Sequence, residues 1–346
     1  MSIRVLVADD SLTVRKRIAQ ALSHQPEFEV VGEATDGRQA VDLCRKLRPD
    51  VLTLDMAMPV LSGLDATAAL MAVCPTPILI VSSSTNRGDL FKTYEALAAG
   101  AVDVLEKSPG DEDKSWDQRL ASALRVVAQV KLVTRFRPIT RPAPRVAPSA
   151  AMRRGVRAVG LGASTGGPGA VAALLKALPR DFPAPILLVL HLAPGFGTAL
   201  ADWLRQQSSL PTSFALDGQI LPPLGRACVL LAPPDLHMTL HQGRLVLDRG
   251  PLRHSCRPSV DALFESMALD LGSASTACLL TGMGRDGAAG LLALRKAGAR
   301  TIAQDEATSV VFGMPGEAVR LNAADAVLPL EQIAPALAGI AAGNAF

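Results

Sequence analysis

Gly160-Leu161-Gly162-Ala163-Ser164-Thr165-Gly166-Gly167-Pro168 follows an apolar stretch at 158–161 and leads into a helical run at 170–178. A strand, a glycine-rich turn and a helix in that order form the repeating unit of a parallel α/β sheet. Within the turn, Gly162-Ala163-Ser164-Thr165-Gly166 has the G-x-S-x-G spacing of a nucleophile elbow. The glycines allow a sharp bend, a serine there projects its oxygen from the sheet edge, and amides at the next helix N-terminus stabilise negative charge.

Working outward from the turn, strands are expected at 158–161, 186–191, 227–232 and 277–281, with a β-hairpin over 238–248 turning on Gln242-Gly243. The fold class expected for this half is a doubly wound, mainly parallel α/β domain carrying a hairpin. A catalytic serine needs a base, and His191 ends the strand after the elbow. Asp286, in the glycine-rich loop after a later strand, is placed to orient and stabilise the imidazolium. The chain order Ser, His, Asp differs from the Ser, Asp, His order of α/β-hydrolases, so the elbow alone would assign the wrong fold. A nucleotide cradle is the competing reading of the glycines. Thr165 argues against it, because it stands where the third glycine of a dinucleotide fingerprint belongs. His237 and His241 share a strand face and, with His254, invite a metal reading. No acid ligand is obvious nearby, so they are read as lining a cleft or meeting solvent.

The N-terminal half repeats the strand and helix unit five times, with strands at 4–8, 28–34, 51–55, 78–82 and 103–106 and a last helix at 116–134. A five-stranded parallel, flavodoxin-like sheet is expected. Asp9 and Asp10 follow its first strand and Asp55 ends its third, the end at which open α/β sheets place ligands. Carboxylates converging there repel one another unless a hard divalent cation such as Mg2+ lies between them. Phosphoryl transfer uses this arrangement, with Asp55 as the attacking carboxylate. Lys107 suits charge neutralisation and Ser82 can donate its hydroxyl to the phosphoryl group. Any one acid alone reads as a helix cap or turn residue; the full set with Lys107 does not.

Length and composition agree with two domains. At 346 residues the chain exceeds one ordinary core. Its apolar runs are far too short to span a bilayer, and the N-terminus lacks a signal peptide's pattern, so the expected location is the cytoplasm. The 5 cysteines are scattered, include no C-x-x-C pair and are read as reduced. A net charge of +3 and 3% aromatic residues offer little to nucleic acid. Between the halves, residues 135–154 carry Pro138, Pro142, Pro144 and Pro148 among arginines, the texture of a semi-rigid tether. The expected division is therefore 1–134, 135–154 and 155–346. A neighbour held by a short tether is presented at an effective concentration on the order of millimolar, so weak packing suffices to cover a cleft.

Val7-Ala8-Asp9-Asp10-Ser11, Asp55-Met56-Ala57-Met58-Pro59, Ile80-Val81-Ser82-Ser83 and Glu106-Lys107 resemble the receiver domains of bacterial two-component systems. The resemblance implies Asp55 as phosphoacceptor, Mg2+ held by Asp9, Asp10, Asp55 and the Ala57 carbonyl, and Ser82 and Lys107 sensing the phosphate. Val104 and Ser108 depart from the aromatic and the proline common in that family, so an aromatic rotamer switch cannot operate.

The second half is similar to the catalytic domain of the chemotaxis protein-glutamate methylesterases, the CheB family. The elbow carries the likeness together with Pro194-Gly195-Phe196, Ala232-Pro233-Pro234-Asp235-Leu236-His237-Met238, Arg257-Pro258-Ser259-Val260-Asp261, Leu280 through Gly287, Ala303-Gln304-Asp305-Glu306 and Gly313-Met314-Pro315. It implies Ser164 as nucleophile, His191 as base and Asp286 as its partner, with Thr165 and Met283 near the reacting centre. It further implies methylated chemoreceptor cytoplasmic domains as substrate, a chemotaxis histidine kinase as phosphodonor and an unphosphorylated receiver that restricts access. The resemblance also implies receptor glutamine deamidation as a secondary activity, since an amide carbonyl presents the same geometry. The alternatives are a phosphorylation-dependent adaptor that binds without turnover, and an esterase acting on a methylated protein outside chemotaxis. Leu190 replaces a glutamine frequent in relatives, and His254-Ser255-Cys256-Arg257 is longer than the family's compact run, changes that bear on substrate fit.

Overall fold

The computed structural model describes residues 2–83, 87–108, 113–130, 155–192 and 195–343. The expected tether at 135–154, residues 131–134 and Pro194 lie outside the described residues. The chain folds as two compact units.

The first unit runs β1 (Ile3–Ala8), α1 (Leu12–Ser23), β2 (Phe28–Ala34), α2 (Gly37–Leu47), β3 (Val51–Leu54), α3 (Gly63–Val73), β4 (Ile78–Ser82), α4 (Arg87–Ala98), β5 (Asp103–Glu106) and α5 (Lys114–Val127). All strand pairs are parallel, in the order β2-β1-β3-β4-β5. Every residue of β3 and β4 is buried, as a sheet covered by helices on both faces requires. Helix starts follow their caps: Ser11, Asp36 and Ser62 each accept a main-chain N–H three residues on. The expected last helix at 116–134 is corrected to Lys114–Val127. Asp113 starts it early by accepting from Ser115 N and Trp116 N. Past its end the backbone tightens into i→i−3 bonds, Gln129 to Val126 and Val130 to Val127.

The second unit runs β6 (Ala158–Ala163), α6 (Gly167–Ala177), β7 (Ile186–Leu190), α7 (Leu200–Gln207), β8 (Thr212–Phe214), β9 (Val229–Leu231), β10 (His237–His241), β11 (Arg244–Asp248), α8 (Val260–Asp270), β12 (Ser275–Leu279), α9 (Ala288–Lys296), β13 (Arg300–Gln304), α10 (Met314–Arg320), β14 (Ala326–Leu328) and α11 (Leu330–Ala341). Its seven-stranded sheet has the order β14-β13-β12-β6-β7-β9-β8, with every pair parallel. Strands β8, β13 and β14 were not legible as strands. Two have three residues each, and β13 begins at Arg300 and ends at Gln304 with too short an apolar run between. The hairpin forms where expected. Gln242 and Gly243 both have positive φ, and Asp270 at the end of α8 accepts both of their main-chain N–H groups. Leu187, Val189, Phe264, Met267, Leu279 and Leu291 belong to one buried cluster that ties the sheet to α8 and α9. Among the described residues no helix is long and apolar enough to cross a membrane.

Candidate functional site

In the first unit the strand order reverses between β1 and β3, so their C-terminal ends flank a crevice. Asp9 and Asp10 leave β1, Asp55 leaves β3, Ser82 ends β4 and Lys107 leaves β5. Carboxylate oxygens of Asp9, Asp10 and Asp55 lie within 4.8 Å of one another. Lys107 Nζ sits 2.8 Å from Asp9 Oδ2 and 3.0 Å from Asp55 Oδ1, and its main-chain N–H donates to the Ser82 carbonyl at 3.0 Å. Asp9 and Asp55 are buried and Asp10 is exposed. Burial raises the Asp9 pKa, the Lys107 hydrogen bond only partly offsets it, and Asp55 raises it again. Burial pulls the Lys107 pKa down, but Asp9 and Asp55 more than compensate and hold it raised. These acids are not helix caps, since Ser11 caps α1 and Asp9 accepts from Ser11 N at 2.9 Å. Three crowded carboxylates against one lysine are the donor set of a hard divalent cation. Ala57 lies on the exposed loop after Asp55.

In the second unit the chain leaves β6 toward β7 on one side and reaches β12 on the other. The ends of these three adjacent strands therefore frame one crevice. The β6 and β7 register ends at Ala163 opposite Leu190, and His191 N donates to the Ala163 carbonyl at 3.0 Å. Ser164 and His191 are thus the first residues beyond a matched pair. From the other side, Ser164 N donates to the Thr281 carbonyl at 3.0 Å, and Gly167 N closes the turn on the Ser164 carbonyl at 2.7 Å. Gly166 opens α6 at φ 75°, a conformation that favours glycine. Thr165 is buried, its carbonyl accepting from Thr281 Oγ1 at 3.0 Å, and Met283 is exposed on the loop after β12.

Gly282 packs directly on the serine. A Cβ there would stand 2.8 Å from Ser164 Cβ and 3.0 Å from Ser164 N. Neither belongs to a flexible side-chain end, so Gly282→Ala is expected to cost about 1–3 kcal/mol and to displace Ser164. Thermal unfolding together with turnover checks this, with turnover falling more than the loss of folded protein explains.

Asp286 joins the two sides of the crevice. Its Oδ2 lies 2.9 Å from His191 Nε2 and accepts from Val260 N at 2.7 Å. Its Oδ1 accepts from Ser259 Oγ at 2.7 Å and Asp261 N at 3.1 Å. The carboxylate therefore sits on the N-terminus of α8, where exposed amides and the helix dipole favour negative charge. Burial alone would raise its pKa, but His191, Ser259 and the Val260 amide together bring it below the ordinary value. His191 answers in the opposite sense. Burial pulls the imidazole down, yet Asp286 and then Cys256 hold its pKa up at about 9. With Nε2 turned to Asp286, Nδ1 faces Cys256 Sγ at 3.6 Å.

Every serine-hydrolase residue read from the sequence thus falls at this crevice, and the structure adds supports that were not read. Ser259 caps α8 and holds Asp286. His237 holds Ser259: its Nδ1 accepts from Ser259 N at 3.2 Å while Nε2 donates to the Pro251 carbonyl at 3.0 Å. Both ring nitrogens are engaged and the residue is buried. The serine after Pro258 carries a helix-start signal, but the carboxylate that the helix holds lies 27 residues further along the chain.

The architecture and these two crevices define the class: a two-domain response regulator whose output unit is a hydrolase built on a parallel α/β sheet. The family model for the response regulator receiver domain matches residues 5–114, and that for CheB methylesterase matches residues 159–337. The chain belongs to the CheB methylesterase family. It is 45% identical to "Protein-glutamate methylesterase/protein-glutamine glutaminase 2" of Anaeromyxobacter dehalogenans, covering 97% of this chain and 96% of the relative. It is 41% identical to the similarly named protein of Nitrosospira multiformis, covering 98% and 97%. The crystal structure of the Thermotoga maritima CheB methylesterase catalytic domain superposes with a TM-score of 0.50 at 38% identity, over 53% of this chain and 97% of that one.

Proposed function

We propose that the chain is a phosphorylation-activated protein-glutamate methylesterase that hydrolyses glutamate γ-methyl esters on the cytoplasmic domains of chemoreceptors, and that the same residues deamidate receptor glutamines. In this reading residues 1–134 are the receiver, 135–154 the tether and 155–346 the catalytic domain, working in the cytoplasm with a chemotaxis histidine kinase as phosphodonor. The observation that carries it is the placement of Ser164, His191 and Asp286 at the ends of three adjacent strands, with His191 on Asp286 at 2.9 Å.

Ser164 Oγ attacks the ester carbonyl as His191 takes its proton. With Nε2 committed to Asp286, the acceptor is Nδ1. The tetrahedral oxyanion is held by main-chain amides at Thr165, in the turn before α6, and at Met283, next to the glycine that packs on Ser164. Each such donor is worth about 3 kcal/mol in sites of this kind. The imidazolium then returns its proton to methoxide, methanol leaves, and a water activated by His191 releases glutamate from the acyl-enzyme. A phosphonylating serine probe tests the assignment: it labels the wild type and fails on Ser164→Ala, whereas an adaptor would not be labelled.

His191 accepts a proton only when neutral. With its pKa held at about 9, kcat/KM is expected to climb with pH up to that value. Cys256→Ala removes one of the supports that raise it, so the ascending limb moves toward neutral pH. A limb that stays in place would remove Cys256 from the base's surroundings.

In the receiver, Asp55 accepts the phosphoryl group, and Lys107 and Ser82 bind its oxygens. Asp9, Asp10, Asp55 and the Ala57 carbonyl would hold Mg2+, which when bound neutralises charge on the phosphoryl oxygens. Asp55→Asn is expected to abolish phosphate incorporation and all stimulation of methanol release by a small-molecule phosphodonor, while unstimulated turnover persists. Stimulation surviving in that variant would overturn the switch and leave the esterase standing.

A further inference from the structure

Cys256 faces the catalytic histidine on the ring nitrogen that must accept the serine proton. Its Sγ lies 3.6 Å from His191 Nδ1, and on the far side of the ring Nε2 lies 2.9 Å from Asp286 Oδ2. Zinc binds histidine nitrogen at about 2.0–2.1 Å and cysteine sulfur at about 2.3 Å, which at a tetrahedral angle separates the two ligand atoms by about 3.6 Å. A carboxylate on the other ring nitrogen is the usual second partner of a zinc-bound histidine. The Cys256 loop is held in place. Arg253 and Cys256 exchange main-chain hydrogen bonds across His254 and Ser255, both at positive φ. On either side, Arg253 pairs with both oxygens of Glu265 and Arg257 binds Asp235. Cys256 and His191 are both partly exposed.

We propose that His191 Nδ1 and Cys256 Sγ form a reversible inhibitory site for a thiophilic divalent cation, Zn2+ foremost, with Asp286 orienting the imidazole from behind and water completing the tetrahedron. Binding converts the Cys256 thiol to thiolate, releases its proton to solvent and forms one metal–sulfur and one metal–nitrogen bond. It occupies the lone pair that must accept the serine proton, so bound metal and turnover exclude each other. The inhibitory consequence rests on His191 being the base; the metal site itself does not.

The test is titration of the full chain with Co2+, read by thiolate-to-cobalt charge-transfer absorption, followed by displacement with Zn2+, and in parallel Zn2+ inhibition of methyl-ester hydrolysis. Wild type and Cys228→Ser are expected to develop the band. Cys256→Ser, shown folded by circular dichroism, loses the band, and its inhibitory Zn2+ concentration rises on the order of tenfold or more. Cobalt in the Asp9, Asp10 and Asp55 pocket has only oxygen ligands and gives no such band. An unchanged band or unchanged inhibition in Cys256→Ser, or no band in the wild type, overturns the site. A band that forms in the wild type without slowing hydrolysis keeps the site and overturns His191 as the base.

Discussion

Ser164→Ala lowers kcat for methanol release from a methylated receptor domain by about 10⁴-fold or more, the loss expected when the nucleophile of a cooperating triad is removed. The size follows from what remains. His191 and Asp286 keep their hydrogen bond, and the amides at Thr165 and Met283 keep their positions, but no oxygen is left to form the acyl-enzyme. Substrate binding and oxyanion stabilisation alone then act on water. The fold should be unaffected, because the bonds that position residue 164 are main-chain ones, from its N–H to the Thr281 carbonyl and from Gly167 N–H to its own carbonyl. The Cβ contact with Gly282 also survives in alanine. Stopped-flow methanol release and calorimetry on the same preparation separate the effects: an unchanged Tm with activity gone. A variant that remained fully active would remove Ser164 from the chemistry.

The contrast between Ser164 and its supports shows what a linear sequence carries. The elbow is a local motif, a strand end, four glycines and a helix start within nine residues, and its geometry follows from those residues alone. Asp9, Asp10 and Asp55 were legible for a related reason, since they follow strongly apolar strands and parallel strands share one functional edge, and Lys107 follows the mixed strand Asp103–Glu106 at that same edge. The partnership of Asp286 with His191 was legible, but its other hydrogen bonds were not. They come from the start of α8, whose cap at Ser259 is an ordinary local signal, but only the sheet order brings that helix to the β12 loop. The short strands β8 and β14 failed differently. At three residues each they hold too few side chains for a period of two to show.

Asp286→Asn tests the support network, and its outcome combines two effects of opposite visibility. Asparagine keeps the shape but has one acceptor oxygen where aspartate has two. Asp286 receives main-chain N–H groups on both oxygens, Val260 on one and Asp261 on the other. Whichever way the amide turns, its NH2 meets a main-chain donor, and an orphaned donor at a buried helix start costs about 1–3 kcal/mol. The loss should depend on pH. Asp286 has a lowered pKa, so its contribution is present above the ordinary 3.8 and fades as pH falls through the folded value. His191 has a raised pKa, so its contribution is complete below the ordinary 6.5 and fades as pH rises through about 9. The variant's Tm deficit should therefore be greatest between those two ordinary values. Turnover falls by on the order of 10³–10⁴, through loss of the charge that stabilises the imidazolium and misorientation of the ring. The second readout is the pH profile. Without the carboxylate, burial dominates the His191 pKa and the ascending limb moves well below 9. A rate loss with the limb unmoved would mean that Asp286 holds the helix start together without acting on the base.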